Sequence, residues 1–254
     1  MDLFFYQIHI PNSAFRSLMP VYQLSEDPIF PPPHLASKSG LLAVGGDLSR
    51  IRLLRAYSMG IFPWYSAGEP ILWWSPDPRL VLYPDELKVS RSLAKTIKKG
   101  IFKVTMDHAF KDVILQCAQV RLENDEGTWI VDDMVAAYCD LHAAGFAHSV
   151  EAWYDNDLAG GLYGVSLGRC FFGESMFTRV TNASKVTLAA LVDYLQARSF
   201  AFIDCQIATG HLIRLGAREI ARARYVKELI RALQYPTLQG RWAFASRGTD
   251  SRSA

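Results

Sequence analysis

CFFGESMF (170–177) and FIDCQI (202–207) stand on either side of one long amphipathic pattern, NASKVTLAALVDYLQARS (182–199). The two short apolar runs read as strands and the stretch between them as a helix, with Asn182 or Ser184 as its cap. Each strand carries a polar group where a plain core strand would carry another apolar one: Glu174 in the first, Asp204 and Gln206 in the second. On a straight strand, side chains alternate faces, which puts Phe202, Asp204 and Gln206 on one face and Ile203, Cys205 and Ile207 on the other. A carboxylate and an amide side by side in an apolar strand require partners, water or a substrate.

Working outward, the same alternation of short elements extends back to about Arg79. VLYP reads as a strand, SRSLAKTIKKG as a helix capped by Ser90, and FKVTM as a strand. A helix capped by Asp107 should run through Val120, and an acidic loop, ENDEGTW, should follow it. VDDMVAAYCDLHAAG reads as a helix closed by Gly145. HSVEAWY and LAGGLYGVSL form a hairpin about the turn DND. After the Asp204 strand, HLIRLGAREI leads to a last helix, ARYVKELIRAL. Helices, then a strand meander, then helix, strand and helix describe an α+β sheet with helices on its faces. Before residue 80 the chain differs. Pro28 and Pro31 to Pro33 exclude regular helix early on, and RIRLLRAYSMG makes a short helix capped by Asp47 or Ser49 and ended by Gly60, with Leu53, Leu54 and Tyr57 as its stripe. Phe62, Trp64, Tyr65, Trp73 and Trp74 then crowd between prolines and glycines, either as a small core under a loop or as a rigid aromatic wall for a ligand. Residues 1–80 are therefore taken as a small aromatic, Pro/Gly-rich domain, residues 81–234 as the larger one, and residues 235–254, polar and Ser/Arg-rich at the end, as a disordered tail.

The composition excludes several classes. The 254 residues carry a formal charge of +2, so nucleic-acid binding would need a local basic patch. No stretch reads as a membrane span or signal peptide. Cys117, Cys139, Cys170 and Cys205 are widely spaced in apolar segments, which suits reduced thiols in a cytosolic protein. There is no phosphate-binding P-loop, dinucleotide fingerprint, G-x-S-x-G elbow, HExxH or Cys/His cluster, so neither a metal nor a cofactor is expected. Glu174 reads either as a functional group or as a structural acid paired with an arginine such as Arg169 or Arg179. Asp204 could serve chemistry or anchor a loop. His211 reads as a capping or structural residue. Arg91, Lys95, Lys98 and Lys99 share one helix face, either simply solvated or contacting a phosphate backbone.

GLLAVGGDLS, GIFPWY, ILWWSPDPR, EGTWI, FGESMF, NASK and FIDCQ, in this order and spacing, resemble the bacterial leucyl/phenylalanyl-tRNA–protein transferases from about Gly40 to Tyr225. The resemblance implies an aminoacyltransferase that takes Leu or Phe, with Met a further candidate, from aminoacyl-tRNA. It joins that residue to the N-terminal amine of proteins beginning with Arg or Lys and so marks them for degradation. It also implies a small N-terminal domain followed by an acetyltransferase-like domain of the GNAT type, acting in the cytoplasm as a monomer without a cofactor. Carried over by residue, it implies an amino-acid pocket of Tyr57, Trp64, Trp129, Tyr138, Phe171 and Met176, with Trp64 stacking on the terminal adenosine. It implies a tRNA surface at Arg91, Lys95, Lys98 and Lys99, and a catalytic group of Asp204, Gln206 and Glu174. On this reading Asp204 orients Gln206 and the amine, Gln206 helps withdraw the proton, and Glu174 holds the cationic N-terminus or its side chain. A relay through Asp204 or the ribose hydroxyl is the alternative to a glutamine acting as base. Phe171 and Met176 have opposite parity, so lining one pocket requires a bend or bulge near Gly173. The sequence departs from the family pattern at Gly210 in IATGHL and at IARAR. Two other readings are an acyl-CoA transferase, which lacks its pyrophosphate loop here, and an RNA-binding module, which leaves Asp204 and Gln206 unexplained.

Overall fold

The computed structural model describes residues 7–8, 21–123 and 128–244. Most of the acidic loop, the first residues of the chain and residues 245–254 lie outside the described residues. A five-stranded sheet forms from β1 (Gln7–Ile8), β2 (Val21–Leu24), β3 (Leu41–Gly45), β4 (Phe62–Pro63) and β5 (Leu72–Trp74), in the order β1-β2-β3-β5-β4. Helix α1 (Arg50–Ser58) lies between β3 and β4, and its first turn is held by the Ser49 hydroxyl accepting from the Arg52 N–H. The aromatic run divides between core and exposed wall. Phe62, Tyr65 and Trp73 are buried, whereas Trp64 is 38% exposed.

The seven-stranded sheet has the order β12-β6-β11-β10-β9-β8-β7. It comprises β6 (Arg79–Leu82), β7 (Lys103–Met106), β8 (Ala147–Tyr154), β9 (Asp157–Leu167), β10 (Cys170–Thr178), β11 (Phe202–Gln206) and β12 (Arg218–Ile220). Its helices are α2 (Arg91–Lys99), α3 (Phe110–Glu123), α4 (Asp132–Ala143), α5 (Ala183–Gln196), α6 (Gly210–Arg214) and α7 (Arg222–Ala232). The sheet is antiparallel except at β10 and β11, which run parallel because α5 carries the chain back across the sheet between them. The fold is therefore α+β with mixed sheets. Local chemistry places several elements as read from the sequence. Asp155 and Asn156 take positive φ in the hairpin turn, Ser90 accepts from the Leu93 N–H at the start of α2, and Gly100 closes α2 in the left-handed conformation.

Two large hydrophobic clusters fill the molecule. One joins the two sheets, running from Leu42, Tyr57 and Trp73 to Phe172, Phe202 and Tyr225. The other lies under α5 and includes Leu162, Phe171, Leu188, Leu191, Ile203 and Trp242. No described helix is long and apolar enough to cross a membrane.

Two sequence readings are corrected here. Asp107 does not cap α3. It sits at positive φ, and its carboxylate accepts from the N–H groups of Ser149 and Trp242 and bonds the His148 ring. Residues 235–244 do not form a loose tail, because Trp242 is 2% exposed and lies in the second cluster. The Trp242 indole supplies most of the burial in this segment, Phe244 packs on the same cluster, and Gln239 and Gly240 donate to the Ala144 and Gly145 carbonyls.

Candidate functional site

The site is built where β10 and β11 stop pairing. Their parallel ladder runs from Cys170 opposite Phe202 to Phe172 opposite Asp204. Beyond it each strand slips by one residue against its other neighbour. β10 shifts against β9 between Gly173 and Ser175, leaving Glu174 unpaired, which is the irregularity expected near Gly173. β11 shifts against β6 between Asp204 and Gln206, and Gln206 takes φ 57. A bulged residue escapes the period-two alternation, so Asp204 and Gln206 do not share a face as a straight strand would require.

The two side chains meet different partners. Asp204 is fully buried, its carboxylate gripped by Arg79 Nε at 2.8 Å and Nη2 at 2.7 Å, and by the Tyr225 hydroxyl at 2.7 Å. Burial works against the Arg79 charge, but Asp204 outweighs it and holds the guanidinium pKa above its ordinary value. Arg79 also sits over the rings of Phe62 and Tyr225, at 4.8 and 4.7 Å from their centroids. Asp204 Oδ1 accepts from the Gln206 backbone N–H at 3.0 Å, which pins the second bulge. Gln206 instead turns its side chain to Glu174, Nε2 donating to Oε1 at 3.1 Å. With its Nε2 spent on Glu174, the amide is oriented so that the Gln206 carbonyl is left for another donor.

Glu174 is the centre of the arrangement. Tyr57 Oη donates to its Oε1 at 2.8 Å and Tyr138 Oη to its Oε2 at 2.9 Å, and the two tyrosine hydroxyls also lie within bonding reach of each other. Burial pushes the Glu174 carboxyl up to about 7, against the opposing pull of these hydrogen bonds and with added repulsion from Asp204. Burial, and then the Glu174 charge, likewise raises Tyr57 and Tyr138 well above the ordinary phenol value, so both remain donors. Arg169 and Arg179 are not its partners. Arg169 lies over the Tyr235 ring, and Arg179 pairs with Glu123.

A cavity of about 610 Å³ opens at this point. Leu162, Phe171, Met176, Leu188, Leu191 and Ile203 line it with apolar surface, and Glu174 and Gln206 reach it as polar groups. Phe171 and Met176 therefore do line one cavity. Trp64 and Trp129 form a further aromatic wall, with ring centroids 6.1 Å apart at 87°, and Arg121 stacks on Trp129 at 3.9 Å. Tyr57 and Tyr138, in contrast, are fully buried and off the wall. They support Glu174 from behind rather than contact a bound side chain. His211, read as structural, lines the cavity, and its Nε2 is buried without a partner. Burial first, then Lys185 and Arg214, lowers its pKa and keeps the ring neutral. Sequence reasoning missed Arg79 and Tyr225 altogether. The signal for Arg79 was available, since a cation opening the apolar strand RLVL needs a buried partner just as Asp204 does. On α2, Arg91, Lys95, Lys98 and Lys99 are all exposed, and among the described residues none makes an ion pair, while Leu93 anchors the helix from its inner face.

The sequence profile described as Leucyl/phenylalanyl-tRNA protein transferase matches residues 81–230, and that of the same family's N-terminal domain matches residues 46–77. The chain belongs to the leucyl/phenylalanyl-tRNA–protein transferase family. Curated members of the family are close along their full length. The protein of that name from Desulfatibacillum aliphaticivorans is 61% identical over 90% of this chain and 98% of its own. That from Syntrophobacter fumaroxidans is 61% identical over 82% and 89%, and that from Myxococcus xanthus 55% identical over 88% and 97%. Among solved structures, an aminoglycoside acetyltransferase from a soil metagenome aligns at TM-score 0.36 with 12% identity, over 51% of this chain and 89% of that one. A likeness at that level carries no argument about this family member.

Proposed function

We propose that this chain transfers leucine or phenylalanine, with methionine a third donor side chain of fitting size, from aminoacyl-tRNA to the N-terminal α-amine of proteins beginning with Arg or Lys. The product is marked for degradation. The observation that carries the reading is Glu174, pushed up to about 7 by burial against the pull of its hydrogen bonds from Tyr57, Tyr138 and Gln206, at an apolar cavity large enough for such side chains. Phe171 and Met176 offer the donor side chain an apolar, adaptable wall that rejects charge by desolvation. Trp64, beside Trp129, offers a stacking face to the terminal adenosine, a contact indifferent to sequence. The exposed cations of α2 suit the tRNA backbone.

The ester is already activated, so the step needs no ATP. The amine nitrogen attacks the ester carbonyl carbon, the bond from that carbon to the ribose oxygen breaks, the amine loses a proton and the ribose oxygen gains one. An α-amine of pKa about 8 arrives mostly as ammonium at pH 7. Glu174, half ionised there, is matched to receive its proton. The free Gln206 carbonyl accepts from a remaining N–H and aims the lone pair. Asp204 acts as a positioning residue, holding the Gln206 backbone while Arg79 and Tyr225 hold it in turn. The separation of the parallel strands β10 and β11 at this cavity supports an acetyltransferase-like, GNAT-type arrangement of the larger sheet, preceded by a small N-terminal domain. On this reading the protein acts in the cytoplasm, with aminoacyl-tRNA, as a monomer. Incubation with labelled Leu-tRNA should label an acceptor with N-terminal Arg and leave one with N-terminal Asp unlabelled. Labelling of neither contradicts the activity, and labelling of the acidic acceptor contradicts the acceptor choice.

A further inference from the structure

We propose that Trp242 sets the size of the donor cavity through Phe171, and so helps decide which aminoacyl side chain is accepted. The inference rests on reading the apolar cavity as the donor pocket. Trp242 is not on the cavity wall, but Phe171 is, and the two rings are neighbours at 6.0 Å between centroids. Trp242 belongs to the hydrophobic cluster that contains Leu162, Leu188, Leu191 and Ile203, so the cavity is hollowed out of the cluster this indole closes.

The indole is tightly fixed. It stacks on the His148 ring at 3.8 Å and 9°, and Tyr194 and Phe200 flank it at 4.9 and 5.9 Å. Its backbone N–H donates to Asp107 Oδ2 at 2.6 Å, and its Nε1 donates to the Leu238 carbonyl at 3.0 Å. Asp107 is itself held by the Ser149 N–H and the His148 ring, each at 2.9 Å. Phe171 is confined from β9 as well. Its ring covers Gly164, where a Cβ would come within 2.6 Å of Cε1 and 2.7 Å of Cζ. A ring limited by a backbone on β9 and an immobilised indole has little freedom to retreat from a larger ligand. Residues 235–244 thus act as a strap that fixes the pocket from behind, a positioning role that leaves the reacting atoms to Glu174 and Gln206.

The test is a competition between equimolar Leu-tRNA and Phe-tRNA for one peptide with N-terminal Arg, read by mass spectrometry as the Phe-to-Leu product ratio. Trp242→Ala should raise that ratio about tenfold, the scale of a change of one or two methylenes in an apolar pocket. Trp242→Phe, which keeps most of the packing, should shift it about threefold in the same direction. Phe171→Ala should raise it at least as much as Trp242→Ala. If both Trp242 variants slow the two donors equally while Phe171→Ala shifts the ratio, the role of Trp242 is overturned and the donor pocket stands. If Phe171→Ala also leaves the ratio unchanged, the donor-pocket reading falls. Should Trp242→Ala not fold, the ratio for Trp242→Phe decides alone, and a wild-type value overturns the proposal.

Discussion

Asp204→Ala separates stability from catalysis at this site. The substitution leaves Arg79, 1% exposed, with its charge buried and its bidentate partner gone. Removing one member of a buried ion pair costs about 3–5 kcal/mol, because the remaining charge is neither solvated nor paired. The Tyr225 hydroxyl and the Gln206 N–H lose their acceptor at the same time. Against a total stability of about 5–15 kcal/mol for a folded domain, that is a large fraction. Urea unfolding followed by tryptophan fluorescence should show the midpoint falling with an unchanged slope. The double variant Arg79→Met, Asp204→Leu removes both charges and should recover most of the stability, since apolar replacements of a buried pair are often neutral or better. Transfer activity should not recover with it, because the pin on the Gln206 backbone is still missing. A destabilisation below about 1 kcal/mol for Asp204→Ala would refute the buried-pair reasoning, and full recovery of transfer in the double variant would refute the positioning role.

Glu174→Gln should stabilise the fold at alkaline pH. The folded-state carboxyl titrates near 7 instead of 4.5, so the native state keeps a proton that the unfolded chain has released. Stability therefore falls as pH rises between those values, by about 3 kcal/mol in full above pH 8, and the glutamine variant should escape this decline while matching the wild type below pH 4.5 in denaturant titrations. Trp64→Ala should weaken donor binding by about 1–3 kcal/mol, read as a raised KM for aminoacyl-tRNA with kcat little changed. Replacing Lys95, Lys98 and Lys99 together by Ala should flatten the salt dependence of tRNA binding, lowering the log–log slope by about 0.7–0.9 for each phosphate that is no longer neutralised. The thermal midpoint should stay put, because these side chains are exposed.

Features set by near neighbours in the chain were legible in the sequence. The Ser90 and Ser49 caps and the Asp155–Asn156 turn depend on side chains within a few residues of the backbone they serve, whereas α5 follows its apolar pattern alone, since Asn182 at its start makes no capping bond. The irregularity at Glu174 was legible for a different reason: the family resemblance put Phe171 and Met176 on one wall, which their opposite parity on a straight strand forbids without a bend or bulge. The bulge at Cys205 offered no such conflict, since straight alternation placed Asp204 and Gln206 together without contradiction. What breaks it is the extra residue at Cys205, with Gln206 at φ 57, and the partner that holds Asp204 beside it, Arg79, is 125 positions away. Tyr57 and Tyr138 lie behind Glu174 and not on the cavity wall, a difference hidden in the sequence because an aromatic ring and a buried hydroxyl donor look alike there. Trp242 was obscured by composition, in which Ser, Arg and Gly outweigh one decisive apolar residue.

The central claim is that Glu174, titrating near neutrality, receives the proton of the incoming amine. Single-turnover transfer of leucine from Leu-tRNA to a peptide with N-terminal Arg, measured from pH 5.5 to 9 for the wild type and Glu174→Gln, tests it most directly. The wild-type rate should rise along a limb with its midpoint near 7, and the variant should be slower by about 100-fold, its rise moved to the amine's own titration at about 8. A variant within threefold of the wild type, with the same midpoint, would contradict the account.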